Sequence, residues 1–197
     1  MNVTIMNNKA ASLVNFWRVL IIRLREEGHR VTCLVPGGDL EAESTLRSLG
    51  AEVWNYPLDN KGLNPFHDFR TCMALYRIFR DLKGDILYAS TIKSVIYGLP
   101  MAALAGIRAR YAMITGLGYM FEADSPRKRM LTCLAALLYR IALSFGRAVF
   151  FQNTDDMATF RQWHCLPSGI RTVLTKGTGV DTTHFSFVPR ANDKPPV

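Results

Sequence analysis

Apolar residues follow two alternating rhythms along the chain. Asn2 to Met6 is a short β-rich run that stops at the polar stretch Asn7 to Ser12; beyond it Leu13, Phe16, Trp17, Leu20, Ile21 and Leu24 recur at helical spacing. Gly28 closes that helix at its C′ position, and Val31 to Val35 reads as a second strand ended by Pro36-Gly37-Gly38. The same alternation continues with a helix from Leu40 to Leu49, a strand from Ala51 to Tyr56, a helix from Asn64 to Leu82 and a strand from Asp85 to Tyr88. Further on come a helix over Ser94 to Leu104, a strand over Arg110 to Ile114, a long helix over Ser125 to Phe145 and a strand over Ala148 to Phe151. A helix over Thr154 to Trp163, capped by Asn153 or Thr154 with Asp155 and Asp156 complementing its dipole, leads to a last strand at Thr172 to Thr175.

The strands are continuous apolar runs rather than alternating ones, and each is followed by a helix. That combination predicts a parallel sheet covered on both faces: an α/β, Rossmann-like, doubly wound fold. Ligands of such sheets bind beyond the carboxyl ends of the strands. The rule directs attention to Asn7 to Ser12, Pro36 to Asp39, Ser90 to Ser94, Thr115 to Phe121, Asn153 to Asp156 and Lys176 to Asp181.

Thr115-Gly116-Leu117-Gly118-Tyr119 is the most informative of these loops. Two glycines directly after a strand permit positive φ and leave backbone N–H groups open to a sugar hydroxyl or phosphate; a tight strand-to-helix turn would use them equally well. The loop Ser90-Thr91-Ile92-Lys93-Ser94 offers hydroxyls and an ammonium group at a helix start, fit either for a phosphate or for an ordinary N-cap. Gly177-Thr178-Gly179-Val180-Asp181 adds a second glycine pair with a carboxylate.

At 197 residues the chain can hold one α/β domain with a substantial core. No apolar run reaches the roughly 18 residues of a spanning helix. The net charge of +8 points to an anionic partner, and it is concentrated: Ile107 to Arg147 carries seven basic residues against two acidic ones. Arg127, Lys128, Arg129 and Arg140 flank a broad apolar helix, which suits docking to an anionic membrane surface or, alternatively, burial as a core helix with a solvated basic end.

Other chemistries are poorly supported. Cys33, Cys72, Cys133 and Cys165 are too dispersed for a disulfide framework or a metal site, and their presence without a basic leader fits a reducing cytoplasm. No G-x-G-x-x-G, Walker loop, G-x-S-x-G or H-E-x-x-H occurs, so no cofactor and no metal are expected. Basic and aromatic residues do not interleave as on a nucleic-acid-binding sheet, so no nucleic acid is expected either.

Taken in order, the loop motifs resemble the N-terminal domain of bacterial GT-B glycosyltransferases of family 4. The likeness runs from Phe16-Trp17-Arg18 and Glu27-Gly28-His29-Arg30-Val31 through Thr91-Ile92-Lys93-Ser94 and Thr115-Gly116-Leu117-Gly118-Tyr119-Met120-Phe121. It continues with Gln152-Asn153-Thr154-Asp155-Asp156 and Gly177-Thr178-Gly179-Val180-Asp181, and its T-G-L-G-Y-x-F piece is nearest the branch that builds surface polysaccharides on polyprenyl-diphosphate lipids. The resemblance implies an acceptor-binding domain over 1–188 and an interdomain linker over 189–197 that leads toward a donor domain, the fragment alone being inactive. It implies a retaining transfer from a UDP-sugar, a donor substrate rather than a cofactor, to a polyprenyl-diphosphate-linked saccharide at the inner face of the cytoplasmic membrane.

On that basis Asn7, Ser12, Lys93, Thr115, Gly116, Gly118 and Tyr119 are expected to position the acceptor, and Asn153, Gly177, Gly179 and Asp181 to line the interdomain cleft. Many family members place a His after the strand matching Arg110 to Ile114. Here Thr115 and Gly116 stand there, so no catalytic residue is assigned. Two rival classes remain: a non-enzymatic membrane-docking or scaffold module, and a sugar-nucleotide epimerase of the same fold.

Overall fold

The computed structural model describes residues 1–59, 64–117, 121, 125–179, 182 and 185. The expected linker over 189–197 lies outside them, as do Gly118, Tyr119 and Asp181. Seven strands alternate with seven helices among the described residues: β1 (Asn2–Met6), α1 (Ala10–Phe16), α2 (Arg18–Glu26), β2 (Arg30–Val35), α3 (Leu40–Ser48), β3 (Glu52–Asn55) and α4 (Pro65–Leu82) form the first half. The second comprises β4 (Ile86–Ser90), α5 (Ile92–Leu104), β5 (Ala109–Ile114), α6 (Pro126–Ser144), β6 (Ala148–Phe151), α7 (Thr154–Gln162) and β7 (Arg171–Leu174).

All adjacent strands pair in parallel, in the order β3-β2-β1-β4-β5-β6-β7. The strand sequence therefore reverses direction between β1 and β4, and the crevice of a doubly wound sheet opens at that point. Side chains leave each strand on alternate faces. Ile5, Cys33 and Met113 enter the core beneath α1 to α3, whereas Met6, Leu34, Ala112 and Phe151 enter the one beneath α4 to α7. Because both faces are covered, the strands need apolar residues at consecutive positions, which is why they read as runs.

Two helix starts differ from the sequence expectation. The first helix begins at Ala10 and breaks at Trp17, whose φ of −117° and ψ of 0° end α1 and open α2. The apolar spacing of Leu13, Trp17 and Ile21 runs straight through this break, so periodicity could not reveal it. Farther along, α5 begins at Ile92, with Thr91 at its N-cap position.

Candidate functional site

The loops after β1 and β4 are tied together by buried polar side chains. Asn7 Nδ2 donates to Ser90 Oγ at 2.8 Å, Ser90 Oγ donates to the Met6 carbonyl, and the Lys9 N–H donates to Asn7 Oδ1. Tyr56 reaches in from the end of β3: its hydroxyl donates to the Asn7 carbonyl at 3.1 Å and lies 3.3 Å from Ser94 Oγ, which accepts from Thr91 Oγ1. Burial pushes the Tyr56 phenol well above its ordinary pKa, so it remains a neutral donor. Neutral groups whose hydrogen bonds are met in this way hold the two loops rigidly without the cost of an unpaired charge.

Above this network lies a cleft of about 240 Å³ lined by Asn7, Ser12, Phe16, Trp17, Thr91, Thr115, Gln152 and Thr178. The lining comes from the ends of β1, β4, β5, β6 and β7 together with α1, as expected for a site on the carboxyl edge of the sheet. Four hydroxyl residues, two carboxamide residues and two aromatic residues make up the lining, none of the eight charged, and Asn7 and Trp17 are buried while Phe16 is exposed. Thr91 holds φ +78° and ψ 157°, a region populated almost only by glycine, so the backbone at the cleft floor is strained.

Asn7, Ser12 and Thr115, all expected to position an acceptor, do come together in this cleft. Gly116 follows at φ +139°, and a Cβ built on it would meet nothing within 4 Å; the backbone conformation, not crowding, demands glycine there. Lys93 is placed elsewhere. Its Nζ donates to the Asp59 carbonyl at 2.6 Å and to Asp68 Oδ1 at 3.4 Å, tying α5 to α4. Asn153 is exposed and caps α7, accepting from the Asp156 N–H at 2.7 Å, while its neighbour Gln152 lines the cleft instead. Gly177 and Gly179 have positive φ on either side of Thr178, the residue that reaches the cleft.

Phe16, Trp17 and Gln152 lie outside the site residues expected from the sequence, whereas Thr178 belongs to the 177–181 loop expected to line the cleft. Gln152 directly follows a strand, as Thr115 does, and the strand-end rule applied evenly would have found it. Phe16 shares the apolar spacing of Leu13, Trp17 and Ile21 but is exposed where they are buried, so periodicity alone does not single it out.

The helix α6 satisfies both readings of its sequence at once. Thr132, Ala135, Ala136, Tyr139, Ala142 and Leu143 form its buried face. On the opposite face Met130, Leu134, Leu137 and Ile141 are each at least half exposed, at helical spacing, and Leu131, Leu138 and Phe145 widen the stripe. Arg127 stands at the N-terminal end of this stripe, and Arg129 and Arg140 flank it. Lys128 is half-buried on the side away from it, and Arg140 Nη1 also donates to the His164 carbonyl at 3.3 Å. The first turn of α6 holds no acidic residue, unlike those of α3 and α7, so its cations add to the positive end of the helix dipole. Phe121 packs against Phe160 of α7 at 5.8 Å and Tyr139 of α6 at 6.5 Å. Among the described residues no helix is long and apolar enough to cross a membrane, and no cluster of side chains suits a metal ion.

Comparison with known proteins gives a consistent picture. The family described as "Glycosyl transferase 4-like domain" matches residues 14–175. A curated relative, the N,N'-diacetylbacillosaminyl-diphospho-undecaprenol alpha-1,3-N-acetylgalactosaminyltransferase of Campylobacter jejuni, is 25% identical over 185 residues, covering 94% of this chain and 48% of the relative. This chain thus spans about half the length of the curated relative it matches. The Anabaena HepE protein in complex with UDP and glucose superposes with a TM-score of 0.62 at 13% identity, over 96% of this chain and 47% of that one. The UDP-GlcNAc 2-epimerase of Neisseria meningitidis bound to UDP-GlcNAc gives 0.59 at 13% identity, over 90% of this chain and 47% of that one. At such identities these two likenesses establish the fold alone.

Proposed function

Because the chain belongs to the glycosyl transferase 4-like domain family, we propose that it is the acceptor-binding half of a retaining glycosyltransferase, one that moves a hexose or N-acetylhexosamine from a UDP-sugar to a lipid-linked saccharide. The observation that carries this reading is the pairing of an uncharged, hydroxyl- and amide-lined cleft at the sheet's switch point with a helix, α6, that presents an apolar stripe edged by cations. A saccharide meets the first and its lipid carrier's membrane the second.

The groups around the cleft bear on the chemistry. Thr115, followed by the open Gly116 backbone, orients a hydroxyl of the acceptor above a floor that buried Asn7, bonded to Ser90 and Tyr56, holds rigid; orientation of this kind accounts for much of the gain in a two-substrate reaction. With no charge among the described residues of the cleft lining, stabilisation of the departing diphosphate falls to groups beyond these residues that close over the donor. An epimerase of this type requires groups that remove and return a proton on carbon, and the described residues lining the cleft include no His, Asp, Glu, Lys or Cys. The relative's own acceptor is named as a diphospho-undecaprenol saccharide, which supports a polyprenyl-diphosphate carrier here and a working position on the inner face of the cytoplasmic membrane. There α6 would lie against anionic lipid, with about 1 kcal/mol from each cation near the surface.

The protein carrying this chain is assayed with radiolabelled UDP-hexoses and UDP-N-acetylhexosamines and polyprenyl-diphosphate saccharides in detergent micelles. Label should pass into the organic phase with the donor's anomeric configuration kept, and Gly116→Val should lower the rate. Failure to transfer from any nucleotide sugar, with Gly116→Val inert in every readout, would leave a scaffold module as the better account.

A further inference from the structure

Phe16 is an apolar side chain in an unusual place. It ends α1 with 53% of its surface exposed on the wall of a cleft whose other lining residues, Trp17 apart, carry hydroxyls and carboxamides, while Trp17 itself is 6% exposed. The helix break at Trp17 separates the two rings: Trp17 turns inward and Phe16 is left facing the cleft. The inward ring is firmly held. Trp17 packs edge-on against Tyr88 of β4 at 5.2 Å, Tyr88 against Phe150 of β6 at 6.0 Å, and Phe150 against Tyr111 of β5 at 6.2 Å. The backbone that carries Phe16 is thus fixed to three strands, and its ring has only two side-chain torsions left to settle.

We infer that Phe16 is the stacking platform for one pyranose ring of the acceptor saccharide, and that the cleft takes this neutral ring while excluding the diphosphate. This rests on the glycosyltransferase reading above and adds to it the part of the substrate that the cleft holds. A pyranose has a C–H face and a hydroxyl rim, and the cleft answers each: the Phe16 ring for the face, and Ser12, Thr91, Thr115, Thr178 and Gln152 for the rim. Its volume of about 240 Å³ falls below the roughly 300–1,000 Å³ of pockets for drug-sized ligands, which limits it to about one ring. A nucleoside diphosphate or pyrophosphate brings charge that none of the described lining residues offsets, and its burial against them would be costly.

Saturation-transfer NMR on the protein tests this with three probes: the methyl glycosides of N-acetylhexosamines, UDP and inorganic pyrophosphate. The glycoside should receive saturation on its C–H face, and neither UDP nor pyrophosphate should displace it. Phe16→Ala should weaken glycoside binding about tenfold or more, and Phe16→Trp should keep it within about threefold, since a flat aromatic face is what matters. Phe16 is half exposed, so neither change endangers the fold. No glycoside binding, displacement by UDP or pyrophosphate, or a Phe16→Ala protein that binds as the wild type would each overturn the inference. A transfer assay on the same variants separates the two levels. If the wild type transfers and Phe16→Ala leaves the acceptor KM unchanged, the platform is refuted and the glycosyltransferase reading stands; if the wild type transfers nothing, that reading itself has failed.

Discussion

Asn7 and Ser90 close the switch point of the sheet: the carboxamide that follows β1 donates to the hydroxyl that ends β4 at 2.8 Å, out of reach of solvent. Replacing Asn7 with Ala leaves the Lys9 N–H without its acceptor and removes the bond that the Ser90 hydroxyl accepts, the one it donates to the Met6 carbonyl remaining, at a cost of about 1–3 kcal/mol. Ser90→Ala should cost less when Asn7 is already gone than when it is present. Urea unfolding of both single variants and the double variant measures that coupling, and strictly additive losses would mean that the two side chains act independently.

Thr91 should reverse the usual ranking of Ala above Gly. Its φ of +78° is costly for any residue with a Cβ, by about 1–3 kcal/mol, so Thr91→Ala keeps the strain and loses the hydroxyl contact to Ser94. Thr91→Gly loses the same contact but relieves the strain. We expect Thr91→Gly to be about 1–2 kcal/mol more stable than Thr91→Ala, after allowing for glycine's greater freedom when unfolded. Equal stabilities in urea titrations would contradict the strained conformation.

The alternation of strands and helices could be read from sequence because burial on both sheet faces makes each strand an apolar run, and periodicity reports burial directly. The break at Trp17 was invisible for the same reason: Leu13, Trp17 and Ile21 are all buried, and their spacing carries no record of a backbone kink between them. At the cleft, Asn7, Ser12 and Thr115 followed from the strand-end rule, a consequence of topology. Lys93 satisfied that rule as well. Its charge is met by Asp68 on α4, 25 positions away, and a strand-end rule says nothing about which helix lies alongside.

The edge of the sheet should respond to acid. Arg30 grips Glu52 with two hydrogen bonds, of 2.7 and 3.1 Å, joining β2 to β3. The hydrogen bond from Arg30 is the main cause that holds the Glu52 carboxyl below its ordinary range. A depressed folded-state pKa gives stability that is complete above the unfolded value of about 4.3 and is lost as pH falls through the folded value. Wild type should therefore exceed Glu52→Gln in stability at neutral pH by a small margin, since the pair is solvent-exposed, and the two should converge in acid. Thermal melts across pH 2 to 7 that kept a constant gap would assign the difference to something other than this charge.

The cysteines offer a way to watch α6 at a membrane. Burial pushes the Cys33 and Cys165 thiols up to about 12, whereas Cys133 is exposed beside the apolar stripe, on the same flank as Arg129 and Arg140. A thiol reagent at pH 8 should therefore modify Cys133 first and reach Cys33 and Cys165 only on unfolding. An environment-sensitive dye attached at Cys133 should then shift to the blue when vesicles rich in anionic lipid are added, and much less with neutral vesicles. Exchanging Arg127 and Arg129 for Glu should weaken the response and its salt dependence together, because screening acts only on the electrostatic share. Leu134→Ser with Leu137→Ser should weaken it at every salt concentration, because the apolar share does not depend on counterions. A dye that responds alike to both vesicle types, or ignores both pairs of substitutions, would show that the exposed face of α6 meets something other than an anionic bilayer.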